Sequence, residues 1–591
     1  MTVFKTYHEV IAAAALDAAK QGALTLSQER ETWPAFVVEP PREAAHGDLA
    51  TNVAMALAKV VGKPPRVIAE ILKPLLEAYG SVASVDIAGP GFINLRLKPE
   101  VWHDEIRTIL KEGIAYGESA MGRGVKVDVE YVSANPTGPM HAGHVRGAVL
   151  GDVLAHLLAK AGYDVTREYY FNDAGAQVDV LARTAHLRYR EALGEVIGDI
   201  PEGLYPGEYL KDVGAALVAR DGEKWRGKAE AEWLVPVREF AVAHMMKMIR
   251  EDLDLIGIHH DVFTNERELI ENGSLQRAFD ALEKQGLIYV GTLPPPKGKV
   301  MEDWEPVPLT LFRSTAFGDS TDRPLKKRDG SWTYLMPDIA YHADKIRRGF
   351  ALMINVLGTD HGGYLERMRP VVAAFSEKKA RLEVIFNNIV KVFKNGEPVK
   401  LSKRSGNLIT LREMVEQVGA GAVRFFMLTR DPKSPLDFDF AKVVEQTRDN
   451  PVFYVQYAHA RCCSILRHAV EDGILSESDT ASESLARIPL TVLTSSDEMM
   501  LVRGMANWPR AVEAAAQACE PHRIAYYLME LAGQFHGLWN KGNDDASLRF
   551  IVPGDKDLTR ARLALITSVR TVLRSGLSVM GCEALEELRN A

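Results

Sequence analysis

The spacing of hydrophobic and polar residues changes along the chain and divides it into three regions. Residues 1–112 mix helical periodicity with short apolar segments and end in a predicted strand at 91–97. Residues 120–412 alternate short apolar runs with amphipathic helices, whereas residues 413–591 keep a helical period of about 3.6 residues almost throughout. We therefore predict a multidomain α/β protein with an α+β N-terminal domain, an α/β middle domain and an all-α C-terminal domain.

The middle region has the pattern of a doubly wound parallel sheet. A turn-rich loop follows the first strand, and a helix is predicted over 143–160. Strand–helix–strand units of this length pack as a Rossmann-type parallel sheet with helices on both faces. A helical insertion is expected at about 186–260. The predicted strands of this region are 125–132, 165–171, 352–357 and 382–386.

The C-terminal region is predicted to be a helix bundle, because long amphipathic segments follow one another with short connections. A glycine-punctuated stretch at 113–124 is predicted to be the linker between the first two domains. The bundle helices are expected over 441–470, 494–519, 521–540 and 556–580.

Composition places the chain among ordinary globular proteins. Of 591 residues 47% are hydrophobic and 25% are charged, and no apolar run is long enough to span a membrane. The four cysteines include no C-x-x-C pair, so a disulfide framework or a structural zinc site is not expected. These features favour a reducing, cytoplasmic environment. The net charge of −8 does not exclude nucleic-acid binding, which needs only a local basic face.

The first candidate for chemistry is the start of the helix at 143–160. Two prolines and a glycine in the preceding loop, 135–139, keep the chain extended up to His141. A helix N-terminus presents free N–H groups and a partial positive charge, which suits a phosphate group. His141 and His144 lie one turn apart, and Gly143 between them allows close backbone approach. A single histidine in such a place would more often cap or pack, but the constellation favours a nucleotide site.

The second candidate is the lysine-rich loop at 400–406, which follows a hairpin-like turn at Asn395-Gly396. Lys400 and Lys403 are three residues apart and can reach triphosphate oxygens as point charges. Such a run alone is usually a solvated face. Its position at the far end of the same α/β domain favours the functional interpretation.

His141-Ala-Gly-His144 and Lys400-Leu-Ser-Lys403 resemble the HIGH and KMSKS signatures of class I aminoacyl-tRNA synthetases. The resemblance implies that both motifs border one ATP-binding crevice and that Ser402 belongs to it. A third family element, a G-x-D-H-like turn after a later strand, is similar to Gly358-Thr-Asp-His361 and implies ATP contacts from Gly358, Asp360 and His361. Leu401 and Arg404 depart from the commonest form of the lysine motif, although both lysines are kept.

Within class I the chain most resembles the arginyl-tRNA synthetase family. The similarity extends over essentially the whole chain, including both flanking domains, and several of its segments are specific to this family. The segments that carry it are 46–59, 89–97, 130–147, 169–178, 205–214, 333–345, 400–411 and 450–461.

An arginine pocket also has a physical rationale. A guanidinium is a planar, always charged fork of donors, and it is best bound by carboxylates that accept parallel hydrogen bonds. Glu130 ends the first strand of the middle domain, Asp338 opens a later helix, and Tyr334 precedes Asp338 by one turn. The resemblance implies that these residues contact the guanidinium with Tyr341 close by. It also implies that Ser133 and Asn135 lie near the α-amino and carboxylate groups of arginine.

The resemblance implies a two-step reaction that uses ATP, L-arginine and tRNA(Arg). Arginine would be activated to arginyl-adenylate and then transferred to the 3′ end of the tRNA. Mg²⁺ is expected with ATP, without a dedicated protein site. The residues similar to tRNA-binding positions of the family are Phe92 and Asn94 in the N-terminal domain, for the outer corner, and Tyr454 and Tyr457 in the anticodon-binding bundle. A monomer is expected.

Two alternatives remain at this stage. Another class I synthetase, such as the cysteinyl enzyme, is disfavoured because zinc-ligand cysteines are missing and because Glu130 and Asp338 are present. A non-catalytic tRNA-binding paralogue should have lost a signature histidine or lysine, and none is lost.

Overall fold

The protein was analysed as a computed structural model that describes residues 2–293, 307–399, 409–445, 447 and 450–587. The N-terminal region forms a four-stranded antiparallel sheet in the order β1-β2-β4-β3. Helices cover the sheet, and the predicted strand at 91–97 is β4. Its elements are α1 Val3–Lys20, β1 Val38–Glu39, β2 Leu49–Thr51, α2 Val53–Val61, α3 Pro65–Glu77, β3 Val82–Ala88, β4 Phe92–Leu97 and α4 Pro99–Glu112.

The predicted linker at 113–124 is a packed connection. The Tyr116 side chain is buried, and its carbonyl oxygen accepts a hydrogen bond from Trp508 Nε1 at 3.0 Å. A Cβ atom on Gly117 would lie 2.4 Å from the same indole nitrogen. This stretch therefore joins the N-terminal region to the C-terminal helices by direct contact.

The middle region contains the predicted parallel sheet, with strand order β12-β11-β5-β6-β7 and every pair parallel. Helix α5 packs so closely against the chain after β5 that a Cβ on Gly151 would lie 2.2 Å from Tyr131 Cγ. The order β11-β5-β6 shows that the strand order reverses at β5, which makes its carboxyl end a crevice. The sheet strands are β5 Lys126–Glu130, β6 Asp164–Phe171, β7 Val262–Asn265, β11 Leu352–Gly358 and β12 Arg381–Asn387.

The helical insertion lies between β6 and β7, and its first helix begins at Ala176, ten residues before the predicted start of 186. The helices of the middle region are α5 Ala142–Lys160, α6 Ala176–Ala192, α7 Tyr209–Asp221, α8 Glu230–Leu255, α9 Glu266–Glu271, α10 Ser274–Lys284, α11 Leu335–Arg347 and α12 Tyr364–Phe375.

Two small sheets were not predicted from the sequence. One is antiparallel, in the order β10-β9-β8, from β8 Ile288–Gly291, β9 Leu309–Phe312 and β10 Arg323–Pro324. The other has the order β14-β13-β15, from β13 Val390–Lys394, β14 Glu397–Pro398 and β15 Leu436–Asp439. Strand β15 corrects the expectation that the chain beyond about residue 410 is wholly helical. Its four residues are too short to register as a periodic pattern.

The rest of the C-terminal region is the expected helix bundle. Its elements are α13 Leu411–Val418, α14 Ala420–Met427, α15 Phe440–Val443, α16 Pro451–Glu471, α17 Ser482–Leu485, α18 Ser496–Ala506, α19 Trp508–Ala518, α20 His522–Asp544 and α21 Lys556–Val579. The four predicted bundle segments coincide with α15–α16, α18–α19, α20 and α21. Within the described ranges, no helix combines the length and the apolar character that a membrane span needs.

Two buried arginines join the middle and C-terminal regions. Arg424 donates to Asp152 Oδ2 at 2.5 Å and to the carbonyl oxygens of Ile256 and Met580 at 3.0 and 2.9 Å. It therefore links α5, the end of the insertion and the end of α21. Arg146 lies two residues after the histidine motif. All of its described hydrogen-bond partners are backbone carbonyl oxygens, those of Asn388, Arg430, Asp431 and Ser434.

Candidate active site

The chain leaves β5 through an unusual backbone turn. Val132 and Ser133 have φ values of +67° and +44°, in the left-handed region that β-branched residues in particular avoid. Ser133 is tied in place, because its Oγ accepts from the Tyr170 N–H at 3.1 Å and donates to Glu130 Oε1 at 3.2 Å. Strained residues that the surroundings hold this firmly are concentrated at functional sites.

The two histidines form the first turn of α5. His141 is the N-cap, and its Nδ1 accepts from the Gly143 N–H at 3.2 Å, while His144 Nδ1 accepts from the His141 N–H at 3.5 Å. Their rings stack with centroids 3.8 Å apart. The histidines therefore cap the helix, as a single histidine in such a place more often does. The same arrangement directs both rings along the helix N-terminus, where an anion would bind.

The start of α5 is hydrogen-bonded to the segment that follows the lysine loop. The Ala142 N–H donates to the Ile409 carbonyl at 3.0 Å, and the Leu411 N–H donates to the Met140 carbonyl at 2.9 Å. Lys400, Ser402 and Lys403 lie outside the described residues. The end of their loop is nevertheless fixed beside His141.

The other end of the lysine loop begins at the predicted hairpin. Strands β13 and β14 pair antiparallel, and Asn395 and Gly396 between them have φ values of +53° and +80°. Two consecutive positive φ values are typical of a tight hairpin turn, for which Asn-Gly is the preferred pair. The predicted hairpin turn is confirmed.

The third motif lies next to the histidines at the same edge of the sheet. Gly358 ends β11, the strand that pairs directly with β5, and a short 3₁₀ turn, Thr359–His361, follows it. The side chains of Asp360 and His361 are both exposed, with His361 Nε2 3.6 Å from Asp360 Oδ2. Gly358, Asp360 and His361 therefore lie at the carboxyl end of β11, as predicted. The side chains of Asp360 and His361 are available to a ligand.

The carboxyl groups of Glu130, Glu266 and Asp338 form an acidic pocket near this edge of the sheet. Burial first, and then the nearby charges of Glu130 and Glu266, raise the pKa of Asp338 to about 7. Glu266 accepts from the Tyr170 hydroxyl at 2.8 Å, and the Tyr170 ring lies 4.6 Å from that of Tyr341. Three carboxyl groups with aromatic walls form a site suited to a cation, because a bound positive charge would offset their mutual repulsion.

The two predicted guanidinium carboxyls, Glu130 and Asp338, thus share one pocket with Tyr341. Tyr341 is 1% exposed, and its hydroxyl has no hydrogen-bond partner among the described residues. Glu130 is also buried, and its Oε2 lies 2.8 Å from the ammonium of Lys345.

Two other predicted arginine contacts are at the surface. Tyr334 is 91% exposed at the N-cap of α11, with Lys327 above its ring at 5.6 Å. Asn135 is exposed and donates to Gln177 Oε1 at 3.0 Å. The structure does not bring these two side chains into the acidic pocket, and their roles stay predictions.

Sequence reasoning missed Lys345, Tyr170 and Glu266. Lys345 follows Asp338 by seven residues, so the two lie on the same face of α11 together with Tyr341. That periodicity was a usable signal, because a lysine on a buried face needs a carboxylate partner. Glu266 and Tyr170 carried no such signal, since only the pairing of β7 with β6, which sets Thr264 beside Tyr170, makes them neighbours.

The predicted tRNA contacts differ in exposure. Phe92 is 40% exposed at the start of β4, but Asn94 on the same strand is only 6% exposed. Tyr454 packs 4.6 Å from the His536 ring, and Tyr457 stacks on Phe453 at 5.4 Å. Phe92 and the partly exposed tyrosines are accessible to a base, whereas Asn94 is largely covered.

The sequence of α21 contains four arginines, Arg560, Arg562, Arg570 and Arg574, that could form a row facing tRNA phosphates. The structure removes Arg562 from such a row. It is 4% exposed, and it donates to Glu498 Oε1 and to the carbonyl oxygens of Ser547 and Arg549. Arg562 therefore stabilises the bundle from inside and is not presented to a ligand.

Comparisons with known proteins match this architecture region by region. The model for the arginyl tRNA synthetase N terminal domain matches residues 5–97, and that for the class I (R) tRNA synthetase catalytic domain matches residues 105–427. A DALR anticodon binding domain matches residues 455–588.

Full-length relatives agree with these matches. An arginine–tRNA ligase of Parvibaculum lavamentivorans is 56% identical over 100% of both chains, and one of Nitrobacter hamburgensis is 55% identical over 99% of this chain and 98% of its own. The arginyl-tRNA synthetase structure from Thermus thermophilus shares the fold, with a TM-score of 0.70 at 22% identity over 99% of this chain and 100% of its own. The resemblance inferred from the motifs is confirmed, and the chain belongs to the arginyl-tRNA synthetase family of class I aminoacyl-tRNA synthetases.

Proposed function

We propose that the crevice at the carboxyl end of β5 carries out both steps of the family's reaction. Arginine and ATP form arginyl-adenylate and pyrophosphate, and the terminal hydroxyl of tRNA(Arg) then takes the arginyl group. The observation that carries the proposal is the proximity of two functional elements. The histidine pair caps α5, and its neighbours Met140 and Ala142 are hydrogen-bonded to the chain at the end of the lysine loop. The pair stands at the same strand edge as the acidic pocket of Glu130 and Asp338.

For the first step we assign the phosphates to the histidine and lysine motifs. In-line attack of the arginine carboxylate on the α-phosphate needs positioning and stabilisation of negative charge, with no covalent enzyme intermediate. His141 and His144 would donate to that charge from the helix N-terminus, with Gly143 admitting the nucleotide. Lys400 and Lys403, with Ser402, would hold the β- and γ-phosphates. The exposed turn of Gly358, Asp360 and His361 would contact the adenosine.

Arginine would place its guanidinium against Asp338 and Glu130, beside the Tyr341 hydroxyl, which has no hydrogen-bond partner among the described residues. Ser133 and Asn135 would lie near its α-amino and carboxylate groups. The exposed positions of Tyr334 and Asn135 imply that both would have to turn inward when the substrate binds. Support comes from Asp338, whose pKa is raised first by burial and then by the charges of Glu130 and Glu266, a repulsion that a bound cation would relieve.

For tRNA we propose a contact at each end of the chain. Residues 1–112 would bind the outer corner through Phe92 and Asn94, and residues 413–591 would bind the anticodon through Tyr454 and Tyr457. Partly exposed aromatic rings are suited to stacking on unpaired bases. Asn94 would need to become more exposed before it could read a base, given its burial in β4.

Mg²⁺ is proposed to accompany ATP on the phosphate oxygens. Within the part of the chain that the structure describes, no three acidic, histidine or cysteine side chains converge to hold a metal ion. The ion would supply Lewis-acid stabilisation of the phosphates. We also propose that the protein acts in the cytoplasm, which its four free thiols favour, and that it works as a monomer.

The decisive experiment is pyrophosphate exchange with each amino acid, with and without tRNA(Arg). We expect exchange with arginine alone among the amino acids, and we expect it to depend on the tRNA, as is general in the family. Exchange with cysteine would favour another class I specificity. No exchange with arginine in the presence of tRNA(Arg), together with intact tRNA binding, would favour a non-catalytic paralogue.

A further inference from the structure

A fully buried lysine lies directly behind the proposed arginine pocket. Lys345 is 0% exposed, and its Nζ lies 2.6 Å from Asp128 Oδ1 and 2.8 Å from Glu130 Oε2. The same ammonium stands 4.3 Å above the ring of Tyr341. Asp128 and Glu130 are two residues apart on β5, so both side chains point to the face on which α11 packs. Lys345 thus connects the central strand to the helix that carries Asp338.

The charges around Lys345 balance one another. Burial alone would lower the pKa of Lys345, but Asp128, Glu130 and Glu168 raise it, so the ammonium stays charged. Burial raises the pKa of Asp128 well above its usual value. Burial alone would also raise the pKa of Glu168, but Lys345, a hydrogen bond from Asp128 and the Arg348 guanidinium together lower it to about 2.

The contacts divide the carboxyl groups between two cations. Arg348 donates to both carboxylate oxygens of Glu168, at 2.7 and 2.9 Å. Lys345 lies between Asp128 and Glu130 and is the cation in direct contact with the Glu130 carboxylate. Glu130 is held on both sides, since Oε2 faces Lys345 and Oε1 accepts from Ser133 Oγ at 3.2 Å.

We infer that Lys345 is a positioning residue for arginine recognition, which holds the Glu130 carboxylate in a fixed orientation before the substrate arrives. The inference rests on the proposed role of Glu130 in binding the guanidinium. A preset acceptor spares the substrate the cost of ordering a buried carboxyl. Because Lys345 already balances Glu130, the charge of the guanidinium is met mainly by Asp338 and Glu266. Glu130 then contributes geometry and hydrogen bonds.

The test replaces Lys345 by methionine, which keeps the length of the side chain without its charge. In the variant the Glu130 carboxyl would lose the ion pair that fixes one of its oxygens. We expect the KM for arginine in aminoacylation to rise at least about tenfold, because a carboxylate that is no longer held in place binds the guanidinium less well. The KM for ATP should change by less than about twofold.

Arg348→Met is the matched control. Arg348 lies three residues after Lys345 and belongs to the same network of charges, but it pairs with Glu168 and not with Glu130. We expect it to leave the arginine KM within about twofold. An equal rise in both variants, or a rise in Lys345→Met that is the same for the KM of ATP as for the KM of arginine, would overturn the inference and indicate a structural role. Lys345→Gln, whose amide can donate without charge, is the second variant if the methionine variant does not fold.

Glu130→Gln distinguishes a failure of the proposed role of Glu130 from a failure of the inference about Lys345. If this variant leaves the arginine KM unchanged, the assignment of Glu130 to the guanidinium fails, and the role of Lys345 fails with it. If Glu130→Gln raises the KM but Lys345→Met does not, only the inference about Lys345 fails. In the double variant Lys345→Met/Glu130→Gln the loss should be smaller than the sum of the two single losses, because both act through one carboxylate.

Discussion

At the scale of single residues, the environment of Asp338 converts an ordinary helix carboxyl into a receptor for a cation. In the structure its pKa is raised to about 7 by burial first and by Glu130 and Glu266 next. A guanidinium beside it would reverse the last two effects, so binding of arginine and loss of the Asp338 proton are coupled.

This coupling predicts a pH dependence of arginine binding. The KM for arginine should fall as the pH rises through about 7 and then level off, because only ionised Asp338 attracts the guanidinium. Stability has the opposite sign. The folded pKa lies above that of an unfolded aspartate, so this group's contribution is fully present below about pH 4 and is lost as the pH rises through about 7.

Asp338→Asn provides the variant for that measurement. The KM for arginine should rise by roughly tenfold to a hundredfold, the range expected for one charge-assisted hydrogen bond of about 1.5–3 kcal/mol. The pH dependence near 7 should disappear with it. A variant that keeps the wild-type pH profile would show that another group titrates, and Glu266 would be the first to examine.

A second prediction at this scale concerns His144. His144→Ala should lower the rate of adenylate formation by about 10²–10³-fold, as expected for the loss of one donor to a developing negative charge. The affinity for tRNA(Arg) should stay within about twofold. Pyrophosphate exchange and a filter-binding assay measure the two quantities. His259→Ala, at an exposed histidine beyond α8, is the control, and equal losses of both quantities in His144→Ala would indicate a structural histidine.

At the scale of elements, α5 shows how residue size positions a motif. Fourteen of its residues are buried, so the helix lies inside the molecule and meets neighbours on nearly every side. Gly151 allows it to approach Tyr131, just beyond β5. The N-terminus of α5, with its two histidines, is consequently held at the strand edge. Because a buried helix has apolar residues all round, its sequence shows little of the amphipathic pattern that a surface helix has.

Gly151→Ala tests this close approach. The added methyl group would stand 2.2 Å from Tyr131 Cγ, and neither the helix nor the ring can yield easily. We expect a loss of about 1–3 kcal/mol in stability, seen as a lower midpoint of thermal unfolding, and a reduced rate of adenylation. Gly537→Ala in α20 is the matched control. Gly537 is exposed with no described atom within 4 Å of the added Cβ, so that variant should gain about 0.5–1 kcal/mol.

The sequence predicted the elements of the middle sheet well because their strands are long, apolar and bounded by turns. Strands β5, β6, β11 and β12 all fall within a residue or so of the expected positions, apart from two residues at the end of β5. Strand β15 and the small antiparallel sheet could not be predicted in this way. Each of their strands has two to four residues, and pairing with distant segments alone makes them strands.

At the scale of the whole molecule, buried arginines hold the catalytic and C-terminal regions in one arrangement. Arg424 reaches Asp152 on α5, Ile256 after α8 and Met580 after α21. A cation at 1% exposure is costly unless it is hydrogen-bonded, and each of the three Arg424 nitrogens donates to one of these oxygens. The helix that carries the histidine motif is thereby connected to the bundle proposed to bind the anticodon.

Arg424→Met should therefore weaken the whole assembly. Removal of the guanidinium leaves Asp152 buried at 1% exposure without that partner, for which a loss of about 3–5 kcal/mol is typical. We expect the midpoint of thermal unfolding to fall by more than about 5 °C. Arg560→Met on the exposed face of α21 should change it by less than about 1 °C. Similar midpoints for both variants would contradict the role of Arg424.

The sequence by itself determined the three-region organisation, the parallel sheet, the two signature motifs and the family. These depend on local periodicity and on short contiguous patterns, which the chain states directly. Only the tertiary structure decided which charges share a pocket. Three contacts between residues distant in the chain show this: Lys345 beside Glu130, Glu266 beside Asp338, and Arg562 inside the bundle. Burial in the folded chain determines whether such a charged group binds a ligand, neutralises another charge or stabilises the fold.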